Sequence, residues 1–138
     1  MARKQPDGVP RLALSILESP LAIVRLEPAA PVPAWAWVGE LCSVTRSDDE
    51  LSIVCGDAGV PPNARAQRGW RALKVAGPLD FSLTGVLAAL TDPLAQARIS
   101  IFALSTFDTD YVLVRGKDLD RACEVLRAVG HMVVRAPD

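Results

Sequence analysis

Histidine and cysteine are scarce in this sequence of 138 residues. There is one histidine, His131, and the three cysteines, Cys42, Cys55 and Cys123, have no C-x-x-C spacing. A zinc site usually needs about four ligands of these types, so no metal site and no cofactor are expected. A sparse and odd set of thiols indicates reduced cysteines and a cytoplasmic protein. Because no Ser-His-Asp or Cys-His set is supported, no catalytic residues are expected.

The sequence also lacks a charge excess and a long apolar run. Its formal net charge is −1, and its 15 basic residues are scattered. Nucleic-acid binders gain most of their affinity from phosphate neutralisation, so no nucleic-acid partner is expected. No apolar run approaches the ~20 residues that span a bilayer, and the charged N-terminus has no uninterrupted apolar segment after it. We therefore expect a soluble protein that has no membrane partner.

The composition is typical of a globular protein, since 50% of the residues are hydrophobic and 22% are charged. A chain of this length folds as one compact domain or as two small modules that share a core. Prolines and glycines cluster in residues 28–33 and 56–69, and we interpret both clusters as connections.

One segment of the first half is repeated in the second half of the chain. Residues 41–56 align without a gap on residues 101–116, so that Leu41 is matched with Ile101. Each copy has an apolar run, a hydroxyl pair, an acidic turn, a second apolar run and a glycine, which is typical of a strand–turn–strand unit. Two copies of one small module predict a paired architecture, and a cleft between similar modules is a natural ligand site.

The second half has the pattern of a β-α-β-β-α-β unit, the ferredoxin-like arrangement. The predicted elements are a strand at 71–76, a helix at 81–97, strands at 99–104 and 111–114, a helix at 119–129 and an edge strand at 131–135. The continuous apolar run 99–104 indicates a strand covered on both faces. Pro93 predicts a bend or a restart of the first helix. Asp118 is expected to cap the second helix, and His131 is expected at the surface or at the edge of the sheet.

The first half has predicted strands but no long amphipathic helix. The elements expected there are strands at 12–17 and 21–26, a short helix at 34–38 and the hairpin at 41–55. Compared with the second copy, the first has lost or reshaped a helix. The predicted fold class is therefore α+β, with a degenerate module at residues 10–64 and a complete ferredoxin-like module at residues 65–136.

Three motifs together resemble the ACT domain. They are residues 70–85, residues 99–114 and the hairpin segment 43–54, and the resemblance covers most of residues 12–134. The branch they are most similar to includes the cytosolic arginine sensors (the CASTOR proteins) and small bacterial tandem-ACT proteins. This resemblance implies two ACT modules with their sheets packed side by side, and a role in sensing a small molecule, most often an amino acid. It also implies a homodimer or a regulatory partner protein.

The resemblance further implies a ligand between the modules, against the loop 77–81. At the start of a helix, free N–H groups favour a carboxylate, whereas Asp80 suits an α-ammonium group. The polar turn that contains Asp108 and Asp110 can receive a cationic group, and the matching part of the first hairpin would face the same cleft. The candidate ligand-binding residues are Gly77, Pro78, Leu79, Asp80, Phe81, Thr84, Ser43, Val44, Thr106, Phe107, Asp108 and Asp110.

Each candidate segment also has a purely structural interpretation. Gly77 and Pro78 can simply form the turn, Asp80 can cap the helix, and Asx and hydroxyl side chains are ordinary turn formers. Gly85 is expected inside the first helix, where tight packing is favoured over ligand approach as its cause. The alternative function is a non-catalytic protein-interaction module that has kept the fold without a ligand site and acts through the apolar edge strand at 131–134. An enzyme would require a deep pocket with a strongly perturbed acid or base.

Overall fold

The computed structural model describes residues 3–4, 10–79 and 84–135 of the chain. The strands in these residues are β1 (Arg3–Lys4), β2 (Pro10–Arg11), β3 (Ala13–Ile16), β4 (Leu21–Leu26), β5 (Ser43–Arg46), β6 (Leu51–Gly56), β7 (Ala66–Val75), β8 (Ile101–Ser105), β9 (Asp110–Arg115) and β10 (Met132–Arg135). The α-helices are α1 (Val86–Gln96) and α2 (Leu119–Ala128). Short 3-10 helices occupy Ala34–Trp37, Asp57–Gly59 and Gly116–Asp118.

The chain divides into two compact units. The N-terminal unit contains Ser19–Arg71, and the C-terminal unit contains Met1–Glu18 together with Ala72–Asp138. This division differs from the expected modules at 10–64 and 65–136, because β3 pairs with both β10 and the end of β7. Residues 66–70 join the N-terminal unit because they pair with β4.

The C-terminal unit has the predicted β-α-β-β-α-β order with one additional strand. Its lateral strand order is β8-β9-β7-β3-β10. Strand β3 is antiparallel to β7, with Leu14 opposite Val75, and β10 is parallel to β3, with Val133 opposite Leu14. The first and last strands of the ferredoxin-like unit, β7 and β10, are therefore separated by a strand from the start of the chain.

The core of this unit lies between the two helices and one face of these strands. Strand residues that contribute to it alternate along each strand, as a single buried face requires. Its buried strand residues are Leu14, Ile16, Leu73, Val75, Val112, Val114 and Val133. The helices contribute Val86, Ala89, Leu90, Leu94, Leu119, Ala122, Cys123 and Leu126.

Helix α1 continues through Pro93, where the sequence predicts a bend or a restart. Proline has no N–H, so the carbonyl of Ala89, four residues earlier, loses its helical donor. The imidazole of His131 replaces this donor, since its Nε2 lies 2.9 Å from the Ala89 oxygen. Its Nδ1 accepts the N–H of Leu12 at 3.1 Å, which assigns the proton to Nε2. Of the expected surface or edge position, the edge is correct, since His131 directly precedes the edge strand β10, but the residue does not lie at the surface, because it is 4% exposed.

Four smaller expectations also differ from the structure. Gly85 precedes α1 instead of lying inside it, and its φ of 80° explains the glycine by backbone conformation. Asp118 stands at the N-cap of α2 but makes no side-chain capping hydrogen bond. Val129 lies beyond the last helical residue and is exposed. Strand β8 pairs with β9 alone and exposes Ala103, so it is an edge strand that is not covered on both faces.

The N-terminal unit has the same lateral order as the C-terminal one. Counted along the chain, its strands are β4, β5, β6 and the first part of β7, and they lie side by side as β5-β6-β4-β7. A 3-10 helix at Ala34–Trp37 stands where a long helix would follow the first strand. Its apolar cluster consists of Ala22, Val24, Ala36, Leu51, Ile53, Cys55 and Val60. The first copy therefore keeps the strands and has a short 3-10 helix in place of the long helix that it was expected to have lost or reshaped.

The two hairpins correspond in a register that differs by one residue from the sequence alignment. Arg46 pairs with Leu51 across a four-residue turn, and Ser105 pairs with Asp110 in the same way. The turn bonds agree, because Ser47 donates to Glu50 O and Thr106 donates to Thr109 O. A shift of one residue in a strand moves every side chain to the other face. The three identical pairs of the sequence alignment, Asp48/Asp108, Val54/Val114 and Gly56/Gly116, therefore do not occupy equivalent positions.

A hydrogen-bonded carboxylate joins two segments of the N-terminal unit. Asp57 Oδ2 accepts the N–H of Gly69 at 2.8 Å, and Asp57 Oδ1 accepts a hydrogen bond from Arg68 at 3.1 Å. The same guanidinium donates to the carbonyl of Pro61 at 2.6 Å. One acidic side chain thus holds Arg68 and Gly69, near the start of β7, next to the 3-10 helix that contains Asp57.

Replacing Asp57 with alanine is expected to lower the free energy of unfolding by about 1–2 kcal/mol. The variant loses a charge-assisted hydrogen bond to a backbone N–H and leaves Arg68 without its ion-pair partner. Because this pair is partly exposed, the ionic share is small. Urea unfolding of the full chain measures the change, with Asp48→Ala as an exposed acidic control. Equal stability of the two variants would contradict the assignment.

Candidate functional site

Two predicted site segments meet in the C-terminal unit: the start of the loop after β7 and the turn between β8 and β9. The backbone N–H of Leu79 donates to the carbonyl of Asp108 at 2.7 Å. Gly77 lies against the same turn, since a Cβ on Gly77 would be 2.8 Å from the Asp108 oxygen and 3.2 Å from the Thr109 Cβ. Only glycine fits this approach without displacement of the turn. The sequence groups both segments in one candidate site, and the structure brings them into contact.

Threonine hydroxyls hold the turn in its conformation. The N–H of Thr106 donates to the carbonyl of Thr109 at 2.8 Å, and the Thr106 hydroxyl accepts the N–H of Thr109 at 3.3 Å. The Thr109 hydroxyl donates to the carbonyl of Val75 at 2.5 Å, at the end of β7. Thr109 is buried, although the sequence did not single it out as a candidate. Its pattern in the sequence is that of any turn threonine, so only the fold reveals this contact.

The two aspartates at this turn differ in their exposure to solvent. Asp108 is exposed and Asp110 is half-buried at the first position of β9. Among the residues that the structure describes, no side-chain hydrogen bond or ion pair engages either carboxylate. Phe107, between Thr106 and Asp108, is 80% exposed. The turn therefore presents two acidic groups and an aromatic ring on a backbone that is fixed by hydrogen bonds.

The start of α1 is the other chemical feature near this loop. Thr84 is exposed and directly precedes Gly85, the N-cap residue, which makes no side-chain capping bond. No acidic residue stands in the first turn of α1, so its positive end meets no carboxylate of its own helix. Leu79 and Thr84 are five positions apart in the chain, so their Cα atoms are at most about 18 Å apart. The candidates Asp80 and Phe81 lie outside the described residues.

The remaining candidates, Ser43 and Val44, belong to the N-terminal unit. Both lie on β5, where Ser43 is half-buried opposite Val54 and Val44 lies opposite Ile53. In the register of the two turns they correspond to Phe102 and Ala103 of β8. They are thus strand residues and do not belong to the turn of their own hairpin.

Two other kinds of site, a metal site and a membrane-spanning helix, are not indicated by the described residues. Within 3–4, 10–79 and 84–135, no group of three or more His, Cys, Asp or Glu side chains is arranged to hold a metal ion. In the same ranges, no helix is long and apolar enough to span a membrane. The turn provides carboxylates that can pair with a cationic group. The start of α1 provides N–H groups that can bind an anionic group.

Family models match both parts of the chain. An ACT-domain model matches residues 65–128. A model of an N-terminal domain from a group of similar proteins matches residues 20–63. The boundary between the two matches lies close to the boundary expected from the sequence at residues 64 and 65.

Known proteins resemble the chain over different lengths. A crystal structure of protein Atu0741 from Agrobacterium tumefaciens is 40% identical, with a TM-score of 0.88, and the match covers 94% of this chain and 97% of that one. The human cytosolic arginine sensor for mTORC1 subunit 1 is 39% identical over 59 residues, which is 42% of this chain but only 18% of the sensor. The regulatory subunit of aspartate kinase from Thermus flavus is 10% identical with a TM-score of 0.57, over 84% of this chain and 95% of the subunit, and shows the fold alone.

Proposed function

Because the chain belongs to the ACT-domain proteins and is similar to the CASTOR-like arginine sensors, we propose that it is a non-catalytic regulatory protein that binds an amino acid. The observation that carries this proposal is the contact of Gly77 and Leu79 with the turn of Asp108. This contact holds the turn that contains Asp108, and with it the neighbouring Asp110 at the start of β9, against the residues that follow β7 and lead to α1.

The proposed ligand is a zwitterion. Asp108 and Asp110 receive its α-ammonium group, because carboxylates on a backbone that is held by hydrogen bonds can pair with a cation at little ordering cost. The first turn of α1 receives the α-carboxylate through free N–H groups and the positive end of the helix dipole. The ligand would thereby join the β8–β9 turn to the start of α1. This arrangement uses Gly77, Leu79, Thr84, Asp108 and Asp110.

Regulation follows because the ligand contacts both the β8–β9 turn and the start of α1. Binding that favours one arrangement of these two elements shifts the equilibrium of any assembly that contacts them. We propose that the output is a homodimer or a partner protein, as the resemblance to ACT proteins implies, and that the setting is cytoplasmic. No catalytic step is part of the proposal.

A thermal-shift screen of the full chain against the twenty amino acids tests the proposal. We expect a selective, saturable rise of the melting temperature, since a ligand that binds only the folded state adds about 2.7 kcal/mol at one hundred times its Kd. The Asp108→Ala/Asp110→Ala variant is expected to lose the rise. The Asp48→Ala/Asp49→Ala variant, which changes exposed acidic residues of the corresponding hairpin turn, is the matched control and is expected to keep it.

A protein-interaction module is the second candidate function, and one observation favours it. Strand β10 is the last strand of its sheet order, and its Met132 and Val134 side chains are 64% and 50% exposed. An edge strand with exposed apolar side chains is a ready surface for strand addition. A screen without any thermal shift, on a protein that melts cooperatively, would favour this function over ligand binding.

A further inference from the structure

The N-terminal unit carries two cysteines at the open end of its hairpin. Ser43 of β5 lies opposite Val54 of β6, so the next position outward places Cys42 opposite Cys55. Both are free thiols; Cys42 is half-buried and Cys55 is buried. Cys55 belongs to the apolar cluster of this unit, and Cys42 packs against the same cluster. The two sulfur atoms therefore extend toward one face of the hairpin.

The register shows what kind of cross-strand pair this is. Ser47 donates its N–H to Glu50 O at 3.0 Å, which makes that pair a hydrogen-bonded one. Hydrogen-bonded and non-hydrogen-bonded pairs alternate along an antiparallel ladder, so Cys42 and Cys55 form a non-hydrogen-bonded pair. In such pairs the Cα atoms are about 4.5 Å apart, within the range of about 4.4–6.8 Å that disulfides accept. The ladder thus holds the thiols at a distance that a disulfide can bridge.

The second hairpin shows that the fold does not require thiols at this position. In the register of the two turns, Cys42 and Cys55 correspond to Ile101 and Val114, which lie opposite each other in the β8–β9 ladder. An aliphatic pair serves the same backbone position there. The cysteine pair is therefore specific to the N-terminal hairpin, and the packing of the hairpin does not explain why both residues are cysteines.

We propose that Cys42 and Cys55 form an intrachain disulfide when the protein meets a peroxide, so that the end of the hairpin is a site of reversible oxidation. The more accessible Cys42 reacts first: its thiolate attacks a peroxide oxygen, the O–O bond breaks, and a sulfenic acid and hydroxide form. Cys55 then loses its proton and attacks the Cys42 sulfur, which releases the sulfenic oxygen as hydroxide. The two protons convert both hydroxides to water, and two thiols have reduced one hydrogen peroxide by two electrons.

The environment makes this reaction slow at neutral pH. Burial raises the pKa of the Cys42 thiol. Burial, together with the neighbouring Cys42 and Asp57, raises the pKa of Cys55 to about 11. Because the thiolate is the nucleophile, we expect the rate of oxidation to rise about tenfold for each pH unit below the pKa of Cys42. Sustained oxidant and high pH therefore favour the disulfide.

Peptide mapping of the full chain tests the proposal directly. Trypsin cleaves after Arg25, Arg46 and Arg65, so Cys42 and Cys55 fall in different peptides, 26–46 and 47–65. After treatment with hydrogen peroxide at pH 8, we expect the intact mass to fall by about 2 Da and the two peptides to be linked until dithiothreitol is added. Cys123, buried in the C-terminal unit, is expected to remain a thiol that is alkylated after unfolding.

The matched control copies the aliphatic pair of the second hairpin. Cys42→Ile/Cys55→Val is expected to fold and to show no mass loss, whereas Cys123→Ser is expected to form the link like the natural chain. The oxidised natural chain is expected to melt several degrees above its reduced form, since a cross-link restricts the unfolded chain. Oxygen addition on Cys42 without a link, or two chains joined through Cys42, would overturn the proposal.

Discussion

Replacement of His131 by leucine is expected to lower the free energy of unfolding by about 3 kcal/mol. Leucine keeps the apolar volume but leaves two buried backbone groups, Leu12 N–H and Ala89 O, without the partners they have in the structure. Each buried polar group that loses its hydrogen bond costs about 1–3 kcal/mol. Urea unfolding measures the change. Met132→Ala, at the neighbouring position, is the control and is expected to have only a small effect, because the Met132 side chain is exposed.

A double-mutant cycle of His131 and Pro93 separates the contributions that the two hydrogen bonds of the imidazole make to the free energy of unfolding. In the Pro93→Ala variant, residue 93 regains an N–H that can donate to Ala89 O, as in an uninterrupted helix. The cost of His131→Leu is then expected to fall by about 1 kcal/mol, because only Leu12 N–H remains without a partner. Strictly additive costs of the two substitutions would contradict the view that His131 compensates for the proline.

Replacement of Gly77 by valine is expected to abolish the ligand response and to destabilise the fold. The Cβ would stand 2.8 Å from the Asp108 oxygen, so the loop and the turn must separate. Such overpacking lowers the free energy of unfolding by about 1–3 kcal/mol, which urea unfolding measures. The contact that the proposed ligand site depends on would be lost at the same time.

Ala76→Val is the control for Gly77→Val, because it adds a branched side chain at the neighbouring exposed position. We expect this control to keep both the stability and the thermal shift with amino acids. If Gly77→Val also kept both, the loop would not need its close approach to the turn, and the site would have to lie elsewhere.

Local patterns were sufficient to predict most elements of the fold. The apolar spacing of Val86, Leu90 and Leu94 indicates a helix, and alternation in β7 and β9 indicates strands. The pairing of β3 with β7 and β10 could not be predicted in this way. A strand pattern identifies a strand and its buried face but contains no information on its neighbours. That missing information is why residues 10–18 were expected in the other module.

The site was predicted less completely, for two physical reasons. Gly77 and Asp108 belong to segments with clear turn chemistry, so the sequence could group them. The buried contacts of Thr109 and His131 are made with the backbone carbonyls of Val75 and Ala89, which belong to other elements. Every residue has a backbone carbonyl, so the sequence does not indicate which of them accepts such a hydrogen bond. The repeat was misaligned by one residue because a pattern of apolar and polar residues does not fix the register of a hairpin, whereas the geometry of its turn does.

The most direct test of ligand binding in this protein is an NMR titration of the ¹⁵N-labelled chain with each of the twenty amino acids. We expect at least one amino acid to cause saturable changes of the amide signals at Gly77, Leu79, Asp108 and Asp110 and in the first turn of α1. Saturable changes that are confined to other parts of the chain, or no saturable change with any amino acid, would contradict this expectation.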